Sequence, residues 1–159
     1  MKLPEPLFLL INPMMRILLS SPLHSLVSKS LMLISFKGRN TGKYFTTPVR
    51  YIQIEDRVQC FTAMSNQWWR NMDPCADVVL RIAGRDYACK AEAIKDDPER
   101  VRSAVLYLLQ HFPADAPYYD ISLEPDGSPG DSDLEMASHK TVLVEAILNT
   151  KDNLNNNEG

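Results

Sequence analysis

The chain has 159 residues, of which 45% are hydrophobic and 23% charged, a composition typical of one globular domain with its own core. Its 17 basic and 20 acidic side chains give a net charge of −3, which argues against binding to nucleic acid. The three cysteines have no CxxC spacing and there are three histidines, so we expect no metal site and a reduced, cytoplasmic protein.

The N-terminal part of the chain is the most apolar part, and prolines interrupt it. Asn12 followed by Pro13, and Ser21 followed by Pro22, are typical helix starts. A membrane span needs about 20 uninterrupted apolar residues, and no cleavage pattern of a signal peptide follows. We therefore predict an N-terminal amphipathic helical segment over residues 1–30. We favour packing of this segment on its own domain. The alternatives are contact with a partner or with a membrane surface, and the latter would make the protein membrane-associated.

From residue 31 the pattern changes to short segments rich in branched and aromatic residues. Alternation and turn signals predict six strands, counting the fourth segment as a hairpin of two, over residues 31–38, 44–54, 58–64, 78–94 and 139–148. The hairpin is expected to turn at Gly84-Arg85-Asp86. Pro48 lies inside the second strand and cannot donate to a ladder, so it indicates a sheet edge, a bulge or a bend.

The remaining segments are predicted to be helical or irregular. Residues 65–74 fit a helix of two turns at most, with Ser65 as its cap. Residues 96–112 have the best amphipathic pattern in the chain. Residues 113–136 are rich in Pro, Gly and Asp and are interpreted as an irregular loop, functional or mobile. Residues 149–159 are expected to be a disordered polar tail.

These elements favour an antiparallel sheet, closed or half closed into a small barrel, because hairpins dominate and only one clear helix lies between strands. The predicted fold class is mainly β (α+β), an antiparallel six-stranded barrel with N-terminal and peripheral helices. Residues 31–148 form the barrel domain in this interpretation.

The first candidate site is "GRNTGK", residues 38–43, in which Gly38 and Gly42 are followed by Arg39 and Lys43. Glycines let backbone N–H groups converge on an anion, and the two cations supply charge. The stretch is not a P-loop, because a strand and not a helix follows it. Taken alone, it fits a hairpin turn with solvated cations better than an anion site.

The second candidate is "WWRN", where Trp68 and Trp69 precede Arg70 and Asn71. Adjacent residues on a helix point about 100° apart, so the two indoles cannot face the same thing. We expect one to be a core residue and the other to be free to line a groove. The alternative is that both only pin the helix onto the barrel.

Other signals are weaker. No G-x-S-x-G or Cys-His signature occurs, so covalent hydrolysis has no support. Tyr118 and Tyr119, in the predicted loop, carry phenols that can donate a proton, although tyrosines in such loops more often serve packing.

In chain order, "GRNTGKYFTTPVRY" (38–51), "WWRNM" (68–72) and "VVLRIAGRDYACKAEAI" (78–94) resemble the deazaflavin-dependent nitroreductase family. These are split-barrel oxidoreductases that use coenzyme F420 and are related to the FMN-dependent pyridoxamine-phosphate oxidases. The resemblance extends over residues 8–148, and the glycine-arginine element paired with the tryptophan element carries it.

The resemblance implies an FMN-binding-like split β-barrel whose groove holds a flat cofactor, with the phosphate on the basic loop. The residues it implies for cofactor binding are Arg39, Thr41, Gly42, Lys43, Pro48, Val49, Thr62, Ala63, Met64, Trp68, Trp69 and Arg70. It also implies that Tyr118 and Tyr119 shape the substrate pocket, which makes them the candidate catalytic residues.

The implied activity is hydride transfer from reduced F420 to a small organic acceptor such as a quinone, an enone or a nitro compound. Two alternatives remain: the same barrel with FMN, and a barrel without activity that binds a small ligand. A split barrel leaves sheet edges and an apolar face exposed, so we expect a homodimer, with the N-terminal helices as candidates for the contact.

Overall fold

The computed structural model of the protein describes residues 31–148. The strands, in chain order, are β1 (Leu31–Lys37), β2 (Tyr44–Ile54), β3 (Arg57–Ala63), β4 (Cys75–Ile82), β5 (Arg85–Ile94) and β6 (Thr141–Ile147). The helices are α1 (Pro98–His111), α2 (Asp131–Lys140) and two 3-10 helices, Trp68–Met72 and Pro113–Tyr119. The predicted N-terminal helical segment and the predicted polar tail lie outside the described residues.

The six strands close into an antiparallel barrel in the order β1-β2-β3-β6-β5-β4, with β4 pairing back to β1. The predicted fold class is therefore confirmed: a mainly β fold, a six-stranded antiparallel barrel with peripheral helices. Closure removes exposed sheet edges except where two neighbours stop pairing.

The barrel has one such place, between β2 and β3. Residues 44–50 of β2 pair with β1, whereas β2 pairs with β3 only over residues 51–54. Residues 61–63 of β3 pair with β6 and have no partner in β2. We call the interruption between residues 44–50 and 61–63 the split. Pro48 lies on it, where its missing N–H interrupts no β3 ladder, so the predicted sheet edge is confirmed.

Two apolar clusters pack the two faces of the barrel wall. The interior cluster takes alternate side chains from every strand: Met32, Ile34, Phe36, Tyr51, Val58, Cys60, Val78, Leu80, Ile82, Ala91, Ala93, Val142, Val144 and Ala146. The outer cluster packs the apolar stripe of α1 against Ile52, Phe61 and Leu143. This confirms the predicted amphipathic helix, which begins where the Asp97 carboxylate accepts from the Arg100 N–H at 3.2 Å.

The β4–β5 hairpin turns earlier than predicted. Ala83 and Gly84 both have positive φ, 50° and 79°, as a two-residue hairpin turn requires. Arg85 and Asp86 already belong to β5, and the Asp86 carboxylate accepts from the Arg81 guanidinium at 2.7 Å across the ladder. This cross-strand pair draws Asp86 into the strand.

The prediction of an irregular loop over residues 113–136 was wrong in part. The region contains the 3-10 helix Pro113–Tyr119 and the first six residues of α2, and α2 also takes the two residues expected to begin the last strand. The sequence of α2 is weakly amphipathic. Tertiary packing stabilises it, because Leu134 and Ala137 are buried in the outer cluster.

A buried carboxylate ties α1 to the barrel wall. Glu145 of β6 is 7% exposed and accepts from Gln59 Nε2 at 2.8 Å and from Arg100 Nη2 at 2.7 Å. The Arg57 guanidinium lies 3.7 Å from the same carboxylate. A buried charge is tolerated only when it is paired and hydrogen-bonded, so this cluster sets where α1 meets the barrel.

Replacing Arg100 by Met should lower the free energy of unfolding by about 1–3 kcal/mol, because the buried Glu145 carboxylate loses a charged donor. Chemical denaturation measures this change. Arg102→Met is the matched control from the same helix: its partners, Asp131 and Glu135, are exposed, so little change is expected. Equal losses in the two variants would contradict the structural role given to Glu145.

Candidate functional site

The loop of residues 38–43 joins β1 to β2 and is closed by its own backbone. The Gly38 N–H donates to the Lys43 carbonyl at 2.7 Å, and the Gly42 N–H donates to the Gly38 carbonyl at 2.8 Å. Gly42 has a φ of 67°, which disfavours a side chain. A Cβ on Gly38 would stand 2.7 Å from the ring of Phe45. Both glycines are therefore required by this loop geometry.

Three cations lie in or next to this loop, and a fourth, Arg70, lies on the 3-10 helix Trp68–Met72. Lys37, Arg39, Lys43 and Arg70 are exposed, and none of them makes an ion pair within residues 31–148. Most other arginines of that range are paired with carboxylates. A group of unpaired cations at one end of a barrel is a favourable environment for an anion.

The loop also presents backbone donors. The N–H groups of Gly38, Arg39 and Gly42 are hydrogen-bonded, whereas those of Asn40 and Thr41 have no partner in the part of the chain that the structure describes. Backbone N–H groups beside arginine and lysine side chains suit the oxygens of a phosphate. The loop therefore has the chemistry of an anion site as well as the geometry of a turn.

Asn71 joins the loop to the 3-10 helix Trp68–Met72. Its Oδ1 accepts from the Arg39 N–H at 3.1 Å, and its Nδ2 donates to the Trp68 carbonyl at 2.9 Å. The half-buried Trp68 stacks on Phe36 with ring centroids 6.0 Å apart. The two candidate motifs thus form one unit. Asn71 was not among the residues that the resemblance implied for the cofactor, although the W-W-x-N spacing was a signal for it.

Trp69 is the tryptophan that belongs to the core. It is 2% exposed, lies in the interior cluster and donates its indole N–H to the Met64 carbonyl at 3.2 Å. The Arg70 guanidinium lies over this ring, 4.9 Å from its centroid. Only one indole is a core residue, as expected. Trp69 has no exposed ring for a cofactor, contrary to the prediction, because the barrel interior encloses it.

The segment before the tryptophans is a turn, and the helix is shorter than predicted. The Asn66 N–H donates to the Ala63 carbonyl at 3.0 Å, and Asn66 Nδ2 donates to Thr62 Oγ1 at 2.9 Å. Because these bonds form a turn, the helix begins only at Trp68, and Ser65 is not its cap. Thr62 is 2% exposed, and its hydroxyl serves this turn rather than an open groove.

The two edges of the split bring together four of the residues implied for the cofactor. Continuing the β2–β3 register beyond its last pair places Val49 opposite Thr62 and Pro48 opposite Ala63. Pro48, Val49 and Ala63 are half-buried, so their side chains remain partly accessible. A proline on such an edge lets another group approach the backbone where no strand competes.

The 3-10 helix Pro113–Tyr119, called here the bridging helix, contacts both edges of the split. Its Asp115 carboxylate lies 2.5 Å from Arg50 Nε on β2. The ring of Tyr119 meets that of Phe61 on β3 edge to face, with centroids 6.3 Å apart. The bridging helix therefore spans the interruption between β2 and β3.

A cleft of about 490 Å³ opens beside the bridging helix. It is lined by Ala63, Met64, Ser65, Asn66, Tyr118, Tyr119, Asp120, Ala137, His139, Lys140 and Thr141. The two tyrosines thus share one cleft with the end of β3. Met64 lines this cleft, and its carbonyl accepts from the Trp69 indole N–H. This hydrogen bond connects the cleft to the unit formed by the basic loop and Trp68–Met72.

The two tyrosines differ in environment. Tyr118 is 68% exposed, whereas Tyr119 is half-buried between the rings of Phe61 and Tyr118. Burial, with a smaller contribution from the Asp115 carboxylate, raises the pKa of the Tyr119 phenol above its ordinary value. Tyr119 therefore keeps its proton at neutral pH and can donate a hydrogen bond to a group in the cleft.

Two of the three cysteines, Cys60 and Cys89, are shielded from solvent to different degrees. Burial raises the pKa of the Cys60 thiol to about 12 and that of the Cys89 thiol to about 11, which suppresses the reactive thiolate. Between residues 31 and 148, no group of three or more His, Cys, Asp or Glu side chains is placed to hold a metal ion. No helix of that range is long and apolar enough to cross a membrane.

No protein-family model matches the sequence, and no curated protein matches it. Solved structures do. A pyridoxamine 5′-phosphate oxidase-related, FMN-binding protein from Nostoc punctiforme PCC 73102 aligns with a TM-score of 0.51 and 15% identity, over 79% of this chain and 73% of that one. The chain has the FMN-binding split-barrel fold.

Two further solved structures match to a similar extent. A candidate 5-nitroimidazole antibiotic resistance protein from Bacteroides thetaiotaomicron aligns with a TM-score of 0.52 and 10% identity, over 79% of this chain and 77% of that one. A conserved hypothetical protein from Mycobacterium tuberculosis aligns with a TM-score of 0.52 and 15% identity, over 78% and 76%. At these identities the likeness establishes the split-barrel fold alone, and the chemistry is argued from the residues.

Replacing Gly38 by Ala should lower the free energy of unfolding by about 1–3 kcal/mol, because the added Cβ would overlap the Phe45 ring. Urea denaturation measures this. Gly130→Ala is the matched control, since the nearest atoms to a Cβ there are 3.8 Å away. If Gly38→Ala is as stable as the control, the loop is not held as described.

Proposed function

We propose that the protein is an oxidoreductase that binds a flavin-type cofactor at the split and passes hydride to a small organic acceptor. The specific cofactor we propose is coenzyme F420. The observation that carries this proposal is the set of unpaired cations and open backbone donors on the loop of residues 38–43, joined through Asn71 to the aromatic helix beside the split.

The loop suits the anionic end of such a cofactor. The Arg39 and Lys43 side chains and the Thr41 N–H would hold its phosphate, and Gly42 would act by shaping the loop, since its own N–H is already bonded. Lys37 and Arg70 extend the positive charge beyond what one phosphate needs. This favours F420, which carries a longer anionic tail than FMN.

The split suits the flat end. Pro48 and Val49 on one edge, and Ala63 with Met64 on the other, offer partly accessible apolar surface, and the half-buried Trp68 lies nearby. The bound cofactor would supply the two-electron hydride chemistry, in agreement with the lack of a hydrolase signature such as G-x-S-x-G in the sequence. The protein would orient the ring and limit access of water.

The cleft beside the bridging helix would receive the acceptor. Its volume of about 490 Å³ is typical of pockets for small molecules. Tyr119, which keeps its proton at neutral pH, would donate that proton to the acceptor, and the exposed Tyr118 would form the outer wall. Acceptors that gain a proton with the hydride, such as quinones, enones and nitro compounds, fit this arrangement.

FMN is the second candidate cofactor, and the likeness to the FMN-binding split barrel from Nostoc punctiforme favours it. The non-enzymatic alternative is a barrel that binds a small ligand without turnover. In that case, variants at Trp68 and Arg39 would alter stability or binding and no turnover would be found with any acceptor.

Fluorescence titration of the purified protein with F420 and with FMN tests the proposal. We expect saturation at micromolar F420, and a loss of affinity of about tenfold or more in Arg39→Ala and in Lys43→Ala, because each removes a charge-assisted hydrogen bond. Arg85→Ala is the control: Arg85 is an exposed cation, unpaired within the described range, that lies on the β4–β5 hairpin.

Each outcome of the titration has a distinct meaning. An absence of F420 binding overturns the F420 assignment, and tight binding of FMN alone supports the second candidate. Unchanged affinity in Arg39→Ala and Lys43→Ala would show that the phosphate does not lie on the loop.

The expected homodimer and the expected membrane contact stay predictions, because both involve residues 1–30, outside the described residues. Gel filtration with light scattering of the full chain should show a mass of two chains. A clean monomer at tens of micromolar would reject the homodimer.

A further inference from the structure

The side chain of Arg50 makes two contacts with the bridging helix and the residue that precedes it. Its Nε lies 2.5 Å from the Asp115 carboxylate, and its guanidinium carbon lies 4.5 Å from the centroid of the Phe112 ring. Phe112 immediately precedes the bridging helix, so both contacts act on the same short segment. A planar guanidinium can make an ion pair and a ring contact at once, which an ammonium does less well.

The bridging helix also packs against the outer cluster. Ala116 is 1% exposed and lies in that cluster, and Tyr119 meets Phe61. Space remains on two sides: the cleft described above, and a second hollow of about 630 Å³ lined by Pro113, Ala114, Ala116, Pro117, Asp120, Ile121, Ser122 and Leu123. The ion pair with Arg50 is the polar contact that ties this segment to β2.

The anchors lie on opposite edges of the split. Arg50 belongs to β2, two residues after Pro48, and Phe61 belongs to β3, two residues before Ala63. Ladder hydrogen bonds do not connect these edges at this level. The helix that carries both tyrosines is therefore held on the β2 side by Arg50 and on the β3 side by Tyr119 itself.

We propose that Arg50, through Asp115, is a positioning residue that holds the bridging helix across the split and so sets Tyr118 and Tyr119 in the acceptor cleft. The importance of the tyrosines rests on the proposed function, whereas the positioning itself does not require a cofactor. Loss of the ion pair releases the helix from β2, and the cleft loses the wall that the tyrosines form.

Hydrogen exchange measured by mass spectrometry on the full chain tests the positioning directly. Asp115→Asn should speed exchange of residues 113–123 by about two- to fivefold, because it removes the ion pair, and Arg50→Met should speed it more, because it also removes the ring contact. Peptides from α1 should exchange as in the parent protein, which shows that the variants are folded and that the opening is local.

The matched control is Arg81→Met. Arg81 pairs with Asp86 on the β4–β5 hairpin, and its side chain is 34% exposed, against 35% for Arg50. Exchange of residues 113–123 should not change in this variant. A double variant with the charges exchanged, Arg50→Asp with Asp115→Arg, should restore part of the protection. Unchanged exchange in both Arg50→Met and Asp115→Asn would overturn the proposal.

The ionisation of Tyr119 gives a second readout. Its phenol has a raised pKa because it is buried, so in the parent protein it should ionise at higher pH than the exposed tyrosines in an absorbance titration, and Tyr119→Phe identifies its signal. Arg50→Met has two opposing effects on this pKa: loss of the Arg50 charge raises it, because that charge favours the phenolate, whereas release of the helix lowers it by exposing the phenol. We expect release to dominate, so the signal should move down toward that of the exposed tyrosines. A signal that moves up, as loss of the charge alone predicts, would contradict release of the helix.

Kinetics separate this inference from the proposed function. With cofactor and a quinone as acceptor, Arg50→Met should raise the KM for the quinone, because the tyrosines no longer hold their place in the cleft wall, while cofactor affinity stays unchanged. Faster exchange in a protein that has no turnover with any acceptor would support the positioning role and overturn the oxidoreductase assignment.

Discussion

The early end of the β2–β3 ladder is the constraint on which the rest of this structure depends. Beyond the pair of Tyr51 and Cys60, the two strands no longer exchange hydrogen bonds. Backbone N–H and C=O groups at such an edge need other hydrogen-bond partners. The remaining strands of the barrel cannot supply them, because they already pair with each other. Pro48 removes one donor from the edge, and the bridging helix crosses it. The same interruption leaves two strand edges without a ladder between them, and it is here that we propose a flat ligand binds.

Around the split, short local motifs acquire functions that they lack alone. The loop of residues 38–43 is by itself a closed turn with two basic side chains. Asn71 links it to the helix of Trp68, so that unpaired cations, open N–H groups and an aromatic wall occupy one end of the barrel. The ring of Trp69, although next to Trp68 in the chain, is buried in the barrel interior. The site is thus a combination of a charge arrangement and a packing arrangement.

The split-barrel frame does not by itself select a cofactor. The fold is shared with an FMN-binding protein at 15% identity, so the residues at the loop and at the cleft carry any discrimination. In the function that we propose, the unpaired cations would set how long an anionic tail can be bound, and the bridging helix would contact the acceptor. These two features lie on different elements, so mutations can change one without the other.

Periodicity in the sequence determined much of this protein. The six strands, the long amphipathic α1, the sheet edge at Pro48 and the rule that one tryptophan is core all follow from local patterns, because alternation and helical spacing are properties of neighbouring residues. The resemblance added the site residues. The structure alone decided which tryptophan is buried and that α2 is a helix. It also decided that Asn71 contacts Arg39 and that Arg50 contacts Asp115. Those contacts join residues far apart in the chain, and no local pattern encodes which of them meet.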